Sequence, residues 1–356
     1  MTKKILIVGP SWVGDMVMAQ SLFIALEQRA MEKGETVAID VIAPAWSRPI
    51  LERMPQVNEA IDLPFGHGEL NISGRYRLGK SLREHAYDQV IVLPNSFKSA
   101  LLPRFTNAPT RTGWRGEKRG WLLNDVRDLN KEALPLMVQR FVALAYGDGE
   151  TLPAQMPRPS LISDAGSVAQ ARQKHGLDLS RPVLVICPGA EFGDAKQWPA
   201  EHYAALCEQK IHDGWQVWAM GSAKDREVTQ AIADGLGSSE HWHDLAGETT
   251  LADAIDLISC ASAVVSNDSG LMHVAAALGR PIVALYGSTS SDFTPPLTDK
   301  VQLLSVDIDC RPCFKRVCPL EHKRCLVDLA PQKALEALDL LLGSDPKTVA
   351  VGEQAR

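Results

Sequence analysis

Short apolar stretches alternate with helix-length segments along the N-terminal half of the chain. The stretches of strand length are residues 4–8, 38–42 and 89–93, and the helical patterns between them include residues 16–33 and 77–85. Apolar strands that alternate with helices are typical of a parallel sheet covered by helices on both faces. The pattern therefore predicts an α/β domain in this half of the chain.

The same alternation restarts after a polar, proline-rich region at residues 147–159. The later apolar stretches are residues 183–187, 216–220, 263–266 and 282–286. Leucines at helical spacing over 331–342 predict a last helix. We expect two doubly wound, Rossmann-like domains, at 1–160 and 161–330, and after them a C-terminal helix and frayed tail at 331–356.

Polar loops, most of which contain glycine, come after the predicted strands of both domains. They are residues 9–15, 94–98, 188–196, 221–225, 267–273 and 287–293. In doubly wound sheets, ligands bind outside the carboxyl ends of the strands. These loops are therefore expected to form the binding edge of each domain, with the two edges facing a cleft.

The most informative loop lies between the strand pattern that ends near Ser266 and the apolar helix pattern that begins near Val274. Its residues are Asn267, Asp268, Ser269, Gly270, Leu271, Met272 and His273. A helix that begins there would present unpaired backbone N–H groups and the positive end of its dipole to a phosphate. Asp268 would alternatively be a helix cap and His273 a half-buried core residue, but a polar run at a strand end favours a binding site.

Two further loops carry candidate charged residues. Asp15 lies in a loop that has neither the dinucleotide fingerprint nor the P-loop spacing, and it would serve either as a helix cap or as a general base. Lys196 precedes a Trp-Pro helix start and would be either a solvated lysine or a phosphate contact. Its position on the same sheet edge as Asp268 favours the phosphate.

The N-terminal half also contains a series of basic residues. These are Arg75, Arg77, Lys80, Arg83, Lys98, Arg104, Arg111, Arg115, Lys118 and Arg119. Most are expected on solvated faces. Lys98, Arg111 and Arg115 are predicted in loops at the cleft, where they would suit an acidic or phosphorylated acceptor.

Composition restricts the classes of protein to which the chain belongs. The 356 residues are 45% hydrophobic and 22% charged, as in soluble globular proteins. A net charge of −6 argues against general nucleic-acid binding. No apolar run approaches the roughly 18 residues that span a bilayer, so we expect a cytoplasmic protein that at most rests on a membrane surface.

Four of the seven cysteines are concentrated in sixteen residues, whereas Cys187, Cys207 and Cys260 occur singly in apolar contexts and are expected to be core thiols. The four are Cys310, Cys313, Cys318 and Cys325, with His322 among them. Their density suits a structural zinc site, but the spacing is not two paired C-x2-C motifs, so free or redox-sensitive thiols remain an alternative.

Taken together, these motifs resemble the ADP-heptose:lipopolysaccharide heptosyltransferases. The resemblance rests on Gly-Pro-Ser-Trp-Val-Gly-Asp-Met at 9–16, Leu-Pro-Asn-Ser-Phe-Lys-Ser-Ala at 93–100, Arg-Thr-Gly-Trp-Arg-Gly-Glu at 111–117, Pro-Gly-Ala-Glu-Phe-Gly at 188–193 and Asn-Asp-Ser-Gly-Leu-Met-His at 267–273. It extends over about residues 4–297 and the last helix.

The resemblance implies a GT-B glycosyltransferase whose N-terminal domain binds the acceptor and whose C-terminal domain binds the nucleotide sugar. It implies inverting transfer of L-glycero-D-manno-heptose from ADP-heptose to the first heptose of a heptosyl-Kdo2-lipid A type acceptor, without a catalytic cofactor or metal. It makes Asp15 the general base and Lys196 the diphosphate ligand. The remaining donor-binding residues that it implies are Asp268, Ser269, Gly270, Leu271 and His273.

The resemblance fails at one point and leaves two rival functions open. Gly221 is followed by Ser-Ala-Lys-Asp, where the family has a glutamate near the ribose, so no ribose contact is assigned. One rival is another GT-B enzyme, such as a different nucleotide-sugar transferase or an epimerase. The other is a zinc-stapled module that binds anionic lipid or nucleic acid through the basic segment at 310–325.

Overall fold

The computed structural model describes residues 2–66 and 68–343, which fold into two compact units, Met1–Ile162 and Ser163–Arg356. The frayed tail predicted after residue 343 lies outside the described residues. None of the described helices combines the length and the apolar character needed to cross a membrane.

Unit 1 contains a six-stranded parallel sheet. Its strands are β1 (Thr2–Val8), β2 (Thr36–Ala43), β3 (Val57–Asp62), β4 (Gln89–Val92), β5 (Thr110–Trp114) and β6 (Asp125–Arg127), in the order β3-β2-β1-β4-β5-β6. Its helices are α1 (Val13–Glu32), α2 (Arg48–Leu51), α3 (Ile72–Ser81), α4 (Phe97–Phe105) and α5 (Met137–Val142), with 3-10 turns at Ala45–Ser47, Leu82–His85 and Ala143–Ala145.

Unit 2 repeats this design with a second six-stranded parallel sheet. Its strands are β7 (Val183–Cys187), β8 (Gln216–Ala219), β9 (Trp242–Asp244), β10 (Ala263–Asn267), β11 (Ile282–Leu285) and β12 (Val301–Leu304), in the order β12-β11-β10-β7-β8-β9. Its helices are α6 (Ala165–Lys174), α7 (Ala200–His212), α8 (Arg226–Leu236), α9 (Leu251–Ile258), α10 (Gly270–Ala277), α11 (Arg324–Val327) and α12 (Pro331–Gly343), with 3-10 turns at Asp194–Lys196 and Ala223–Asp225.

The prediction of two doubly wound α/β sheets is confirmed, because both units have the strand order that defines the Rossmann type. In each sheet the chain reverses its direction of growth at one strand pair, β1 with β4 in unit 1 and β7 with β10 in unit 2. A crevice opens at such a switch point, outside the carboxyl ends of the two strands. Ligand sites are therefore expected at the carboxyl ends of these two strand pairs.

The central strands are buried on both faces, which explains their uninterrupted apolar sequences. Leu6, Ile7, Val185 and Val265, for example, have no appreciable exposure. Burial of each such side chain stabilises the fold by about 1.5–3 kcal/mol. Between β1 and β2, α1 ends at Glu32 and is followed by its C-cap Lys33 and then by Gly34, whose positive φ of 68° is the left-handed conformation that commonly terminates a helix.

The last helix belongs to the core of unit 2. Ala334 and Leu338 of α12 are fully buried in the same cluster as Leu326 and Trp198. Trp198 also donates its indole N–H to the carbonyl of Leu329 at 2.8 Å. The C-terminal segment is thus joined to the loop after β7.

The structure corrects two expectations for the basic series. Residues 110–114, predicted as part of a loop, form β5. Arg75 and Arg119, predicted on solvated faces, are buried, with exposed fractions of 3% and 0%. Arg75 donates to the carbonyls of Leu70 and Glu69 at 2.7 and 3.0 Å and so fixes the entry to α3.

Arg119 organises the carboxyl edge of unit 1. Its guanidinium donates to the carbonyls of Pro94 and Trp114, to the amide oxygen of Asn95 and to the hydroxyl of Ser99. Burial lowers the pKa of Arg119 to about 10, which leaves the group charged at neutral pH. One buried cation therefore ties the loop after β4 to the end of β5.

We predict that Arg119→Met destabilises unit 1 by at least about 3 kcal/mol, because several buried acceptors lose a charged donor. Its melting temperature should fall by roughly 10 °C. The matched control is Arg115→Met, since the Arg115 side chain is 62% exposed. Thermal unfolding followed by circular dichroism tests this, and equal melting temperatures for the two variants would contradict the role given to Arg119.

Candidate functional site

The carboxyl ends of β7 and β10 lie side by side, with Cys187 paired to Ser266. The loop after β7 and the turn after β10 meet above them. There the Lys196 ammonium donates to Oδ2 of Asp268 at 2.6 Å and to the Asp268 carbonyl at 3.3 Å. Two residues that the sequence assigns to separate loops thus form one buried ion pair.

A third loop converges on the same carboxylate. Thr289, in the loop after β11, donates its hydroxyl to Oδ2 of Asp268 at 2.7 Å. The Lys196 ammonium also lies 5.0 Å from the centroid of the Phe192 ring. With its two hydrogen bonds to Asp268, the ammonium has one N–H left that no described protein group takes. The ion pair therefore fixes a cation and leaves it able to donate to a ligand.

The turn after β10 begins an eight-residue helix. Ser269 is the N-cap of α10, and its hydroxyl accepts from the backbone N–H of Met272 at 3.4 Å. The cap is therefore Ser269 and not Asp268, which was the alternative interpretation of that carboxylate. The N–H groups of Gly270 and Leu271, in the first turn, have no acceptor within the helix. They suit an anion held at the helix N-terminus.

His273 lies in the first turns of α10 and is only 5% exposed. Burial lowers the pKa of His273 to about 4; the neighbouring Asp268 opposes this shift, and Lys196 adds to it. The imidazole is neutral at physiological pH. The local charges of the site are therefore those of Lys196 and Asp268.

Sequence reasoning left two residues of this site without a role, Thr289 and Asn267. Asn267 is fully buried and donates its amide N–H to the carbonyl of Pro188 at 2.6 Å. Its Oδ1 accepts from the backbone N–H of Trp198 at 3.2 Å and from the hydroxyl of Tyr203 at 3.1 Å. Asn267 thus holds the loop that carries Lys196. The sequence feature that could have predicted this role is an amide side chain at the end of an otherwise apolar strand.

In unit 1, two candidate residues come directly after the strands of the switch point. Asp15 is half-buried in the first turn of α1, after β1, and Lys98 is half-buried at the second position of α4, after β4. Within the described residues, no hydrogen bond or ion pair holds the Lys98 ammonium. Because β1 and β4 are paired at Val8 and Val92, both loops leave the same edge of the sheet.

The other two candidate acceptor residues differ in position. Arg111 pairs with Val90 early in β5, and its guanidinium donates to the carbonyls of Leu122 and Ala108 at 3.0 and 2.9 Å. It lies away from the carboxyl edge, so the expectation that it lies in a cleft loop is wrong. Arg115 comes after β5 at the carboxyl end, where its exposed side chain pairs with Asp128 at 2.5 Å.

The cysteines divide as the sequence predicts, except that Cys260, predicted as a core thiol, is not fully buried. Cys187 and Cys207 are buried core thiols, and burial raises the pKa of Cys187 to about 12. Cys260 is half-buried. The four cysteines of the C-terminal cluster line one small cavity of about 20 Å³, together with His322 and Ser288; these four are Cys310, Cys313, Cys318 and Cys325.

The cysteine sulfurs of this cavity are not in contact as a metal cluster. Among the described residues, the group of three or more ligand atoms within 4.8 Å of one another is Asp40, Glu59 and His85. The Asp40 carboxylate there already accepts from the amide of Asn58 at 2.8 Å and from the hydroxyl of Tyr87 at 2.7 Å. These hydrogen bonds account for its burial without an ion.

We predict that His273 stays neutral in the folded protein down to about pH 5. An unfolded histidine has a pKa of about 6.5. The lowered pKa therefore gives a stabilisation that is present above about pH 6.5 and is lost as the pH falls towards about 4. NMR titration of the imidazole signal, assigned with His273→Gln, checks this, with the other histidine signals as internal controls. A signal that titrates between about pH 7 and about pH 6 would contradict it.

Comparison with known proteins places this geometry in a family. Residues 75–324 match the model for glycosyltransferase family 9 (heptosyltransferase). A lipopolysaccharide heptosyltransferase 2 from Salmonella typhimurium is 51% identical over 349 residues, 96% of this chain and 99% of that protein. A lipooligosaccharide heptosyltransferase 2 from Haemophilus influenzae is 46% identical over 351 residues, 95% of this chain and 99% of that protein.

A solved structure agrees with these sequence matches. The structure of ADP-heptose LPS heptosyltransferase II from Escherichia coli is 49% identical to the chain and gives a TM-score of 0.85, covering 95% of this chain and 98% of that chain. The rival interpretation as a lipid- or nucleic-acid-binding module concerned the segment at 310–325, whereas these matches extend through both units. The chain belongs to glycosyltransferase family 9, the heptosyltransferases, and is a glycosyltransferase with two Rossmann-like domains of the GT-B type.

Proposed function

We propose that the chain transfers L-glycero-D-manno-heptose from ADP-heptose to the first heptose of the lipopolysaccharide inner core, with inversion and without a catalytic metal or other cofactor. The observation that carries the proposal is the Lys196–Asp268 ion pair beside the N-terminus of α10. The sugar and the acceptor are inferred from full-length relatives named heptosyltransferase 2, at 51% and 46% identity.

The donor half of the reaction depends on stabilising the departing ADP. As the bond between the anomeric carbon and the phosphate oxygen breaks, negative charge grows on the diphosphate. The free N–H of the Lys196 ammonium and the helix N–H groups of Gly270 and Leu271 are donors fixed before the reaction begins. Preorganised donors of this kind stabilise developing charge without reorganising. They supply the positive charge that a metal ion supplies in other transferases.

The acceptor half needs a base for the attacking hydroxyl. Asp15, in the first turn of α1, is the carboxylate proposed for this role. It takes the hydroxyl proton while the oxygen forms a bond to the anomeric carbon on the face opposite the departing ADP. Attack from that face inverts the anomeric configuration. Such a base typically contributes a factor of about 10²–10⁴ in rate.

The acceptor is anionic and carried on a lipid, and the carboxyl edge of unit 1 has matching chemistry. Lys98 and Arg115 supply positive charge there, and Arg111 is no longer included because its guanidinium is engaged elsewhere. Trp121 is 70% exposed and packs against Phe97 at 6.1 Å between ring centroids. We place the enzyme at the cytoplasmic face of the inner membrane, where these groups would meet the acceptor and the surrounding headgroups.

We predict that Asp15→Asn lowers kcat by about 10²–10⁴ while donor binding is unchanged. The measurement is ADP release from ADP-heptose with heptosyl-Kdo2-lipid A in the presence of a chelator. Asp62→Asn is a matched control, because Asp62 is an exposed carboxylate at the end of β3 whose ion pair with Arg48 lies on the surface.

The outcomes of that experiment distinguish a failure of the proposed reaction from a failure of the role proposed for Asp15. Absence of turnover by the folded wild type would reject the proposed substrates. Turnover that requires a divalent metal would reject the metal-free mechanism. Full activity in Asp15→Asn would reject Asp15 as the base and leave the reaction itself standing.

We predict that Lys196→Met weakens ADP binding at least about tenfold, because the diphosphate loses a charge-assisted hydrogen bond. Lys224→Met is the control, since Lys224 is 75% exposed and pairs with Glu191 on the neighbouring surface. Isothermal titration calorimetry with ADP measures both affinities. Lys196→Arg tests whether charge alone suffices, and wild-type affinity in Lys196→Met would remove Lys196 from the donor site.

A further inference from the structure

We propose that Cys310, Cys313, Cys318 and Cys325 form a tetrathiolate site for one structural metal ion, with zinc as the fitting cation, beside the donor site. The four side chains come from positions separated by two, four and six residues, yet all four line the same cavity. Its volume of about 20 Å³ accommodates a body of roughly one water molecule. The cavity therefore has room for one ion between the four side chains.

The donor set has the chemistry of a closed zinc site. Structural zinc is commonly held by four cysteine thiolates in tetrahedral geometry. His322 also lines the cavity, but its Nδ1 accepts from the backbone N–H of Arg324 at 3.0 Å. A neutral ring with that acceptor carries its proton on Nε2 and has no lone pair left for a metal. The four sulfurs are therefore the ligands.

Metal binding requires the sulfurs to close inward. A tetrahedral site with Zn–S bonds of about 2.3 Å brings its sulfurs to about 3.8 Å from one another. Among the described residues, no three of these ligand atoms lie within 4.8 Å of one another. Each sulfur turns on a single side-chain bond, and one rotamer change moves it by on the order of 3 Å. Metal binding would therefore be accompanied by rotation of the cysteine side chains.

The surroundings suit the negative charge of such a site. Four thiolates and one Zn²⁺ carry a net charge of −2, and the positively charged Arg311 lines the cavity. The Ser288 hydroxyl lines it as well; Ser288 is 2% exposed and its oxygen has no hydrogen-bond partner among the described residues. A hydroxyl that donates to a metal-bound thiolate would satisfy that buried group.

The cysteine-rich segment, residues 310–325, contacts two of the three loops that meet at the donor site, those of Lys196 and Thr289. Ala195, next to Lys196, donates its backbone N–H to the Arg316 carbonyl at 3.1 Å. The backbone N–H groups of Cys313 and Phe314 donate to the Ser288 carbonyl at 3.1 and 2.8 Å. A metal that fixes the segment would therefore brace the loops of Lys196 and Thr289 without touching the substrate.

The close contact between Gly193 and the Arg316 backbone restricts movement of the cysteine-rich segment relative to the loop after β7. A Cβ at Gly193 would lie 2.3 Å from the Arg316 carbonyl oxygen, and the φ of Gly193 is 154°. Lys323 adds a charged link, because its ammonium pairs with Asp194 at 2.6 Å. Displacement of the segment would therefore carry with it residues 193–195, which directly precede Lys196.

The test is metal binding by the reduced, full-length chain. After removal of metal, the chain is titrated with Co²⁺ and with Zn²⁺, and bound metal is measured by elemental analysis after gel filtration. We expect one ion per chain and the intense visible and sulfur-to-metal charge-transfer bands of tetrahedral cobalt thiolate. The double variant Cys310→Ser/Cys313→Ser should lose both, and Cys260→Ser, a half-buried cysteine outside the cluster, should keep both.

Two results would overturn the proposal. One is a reduced wild-type chain that takes up neither Co²⁺ nor Zn²⁺. The other is a Cys310→Ser/Cys313→Ser variant that retains the wild-type stoichiometry and spectrum. If the double variant does not fold, Cys318→Ser is used instead, because replacing one of four thiolates should weaken the charge-transfer band; an unchanged band in folded Cys318→Ser would equally reject the site.

Discussion

Both candidate sites depend on one parallel strand pair in each sheet, β1 with β4 and β7 with β10. Because the chain changes direction at these pairs, no crossover helix covers the carboxyl ends of the two strands, and the loops after them face the same opening. In unit 2 this places the loop after β7 within hydrogen-bonding distance of the turn after β10. Residues about 70 positions apart in sequence meet for this reason alone.

Charge balance stabilises the contact between the loops that carry Lys196, Asp268 and Thr289. A buried lysine without a partner would be strongly destabilising, whereas Lys196 shares its charge with Asp268, and Thr289 gives Asp268 a second donor. Burial is the main reason that the pKa of His273 is lowered, and the nearby Lys196 cation adds to the shift. The site is close to neutral overall, yet it presents an N–H donor and a helix N-terminus to an incoming diphosphate.

Apolar periodicity and polar loops at strand ends were sufficient to predict most of the fold and the position of Lys196 and Asp268 at the same end of the unit 2 sheet. The central strands, the shared edge of Lys196 and Asp268, and the helix start at Ser269 belong to this group. Residues 110–114 were missed as a strand because Thr-Arg-Thr-Gly-Trp lacks an apolar run. The roles of Arg119 and Thr289 depend on contacts between loops distant in sequence, which periodicity does not encode.

Ordering the cysteine-rich segment costs free energy that its contacts with the rest of unit 2 offset only in part. Residues 310–323 contain neither helix nor strand, and fixing each backbone residue costs roughly 1–2 kcal/mol of conformational entropy. Phe314, Glu321 and Lys323 have positive φ values of 53°, 59° and 44°, a conformation that costs about 1–2 kcal/mol for a residue with a side chain. Val317 and Leu320 are mostly exposed, so their burial contributes little stabilisation. The hydrogen bonds to Ser288 and Ala195 offset only part of this free-energy cost. Bonds from one metal ion to the four cysteine sulfurs would supply further stabilisation of a single conformation of the segment.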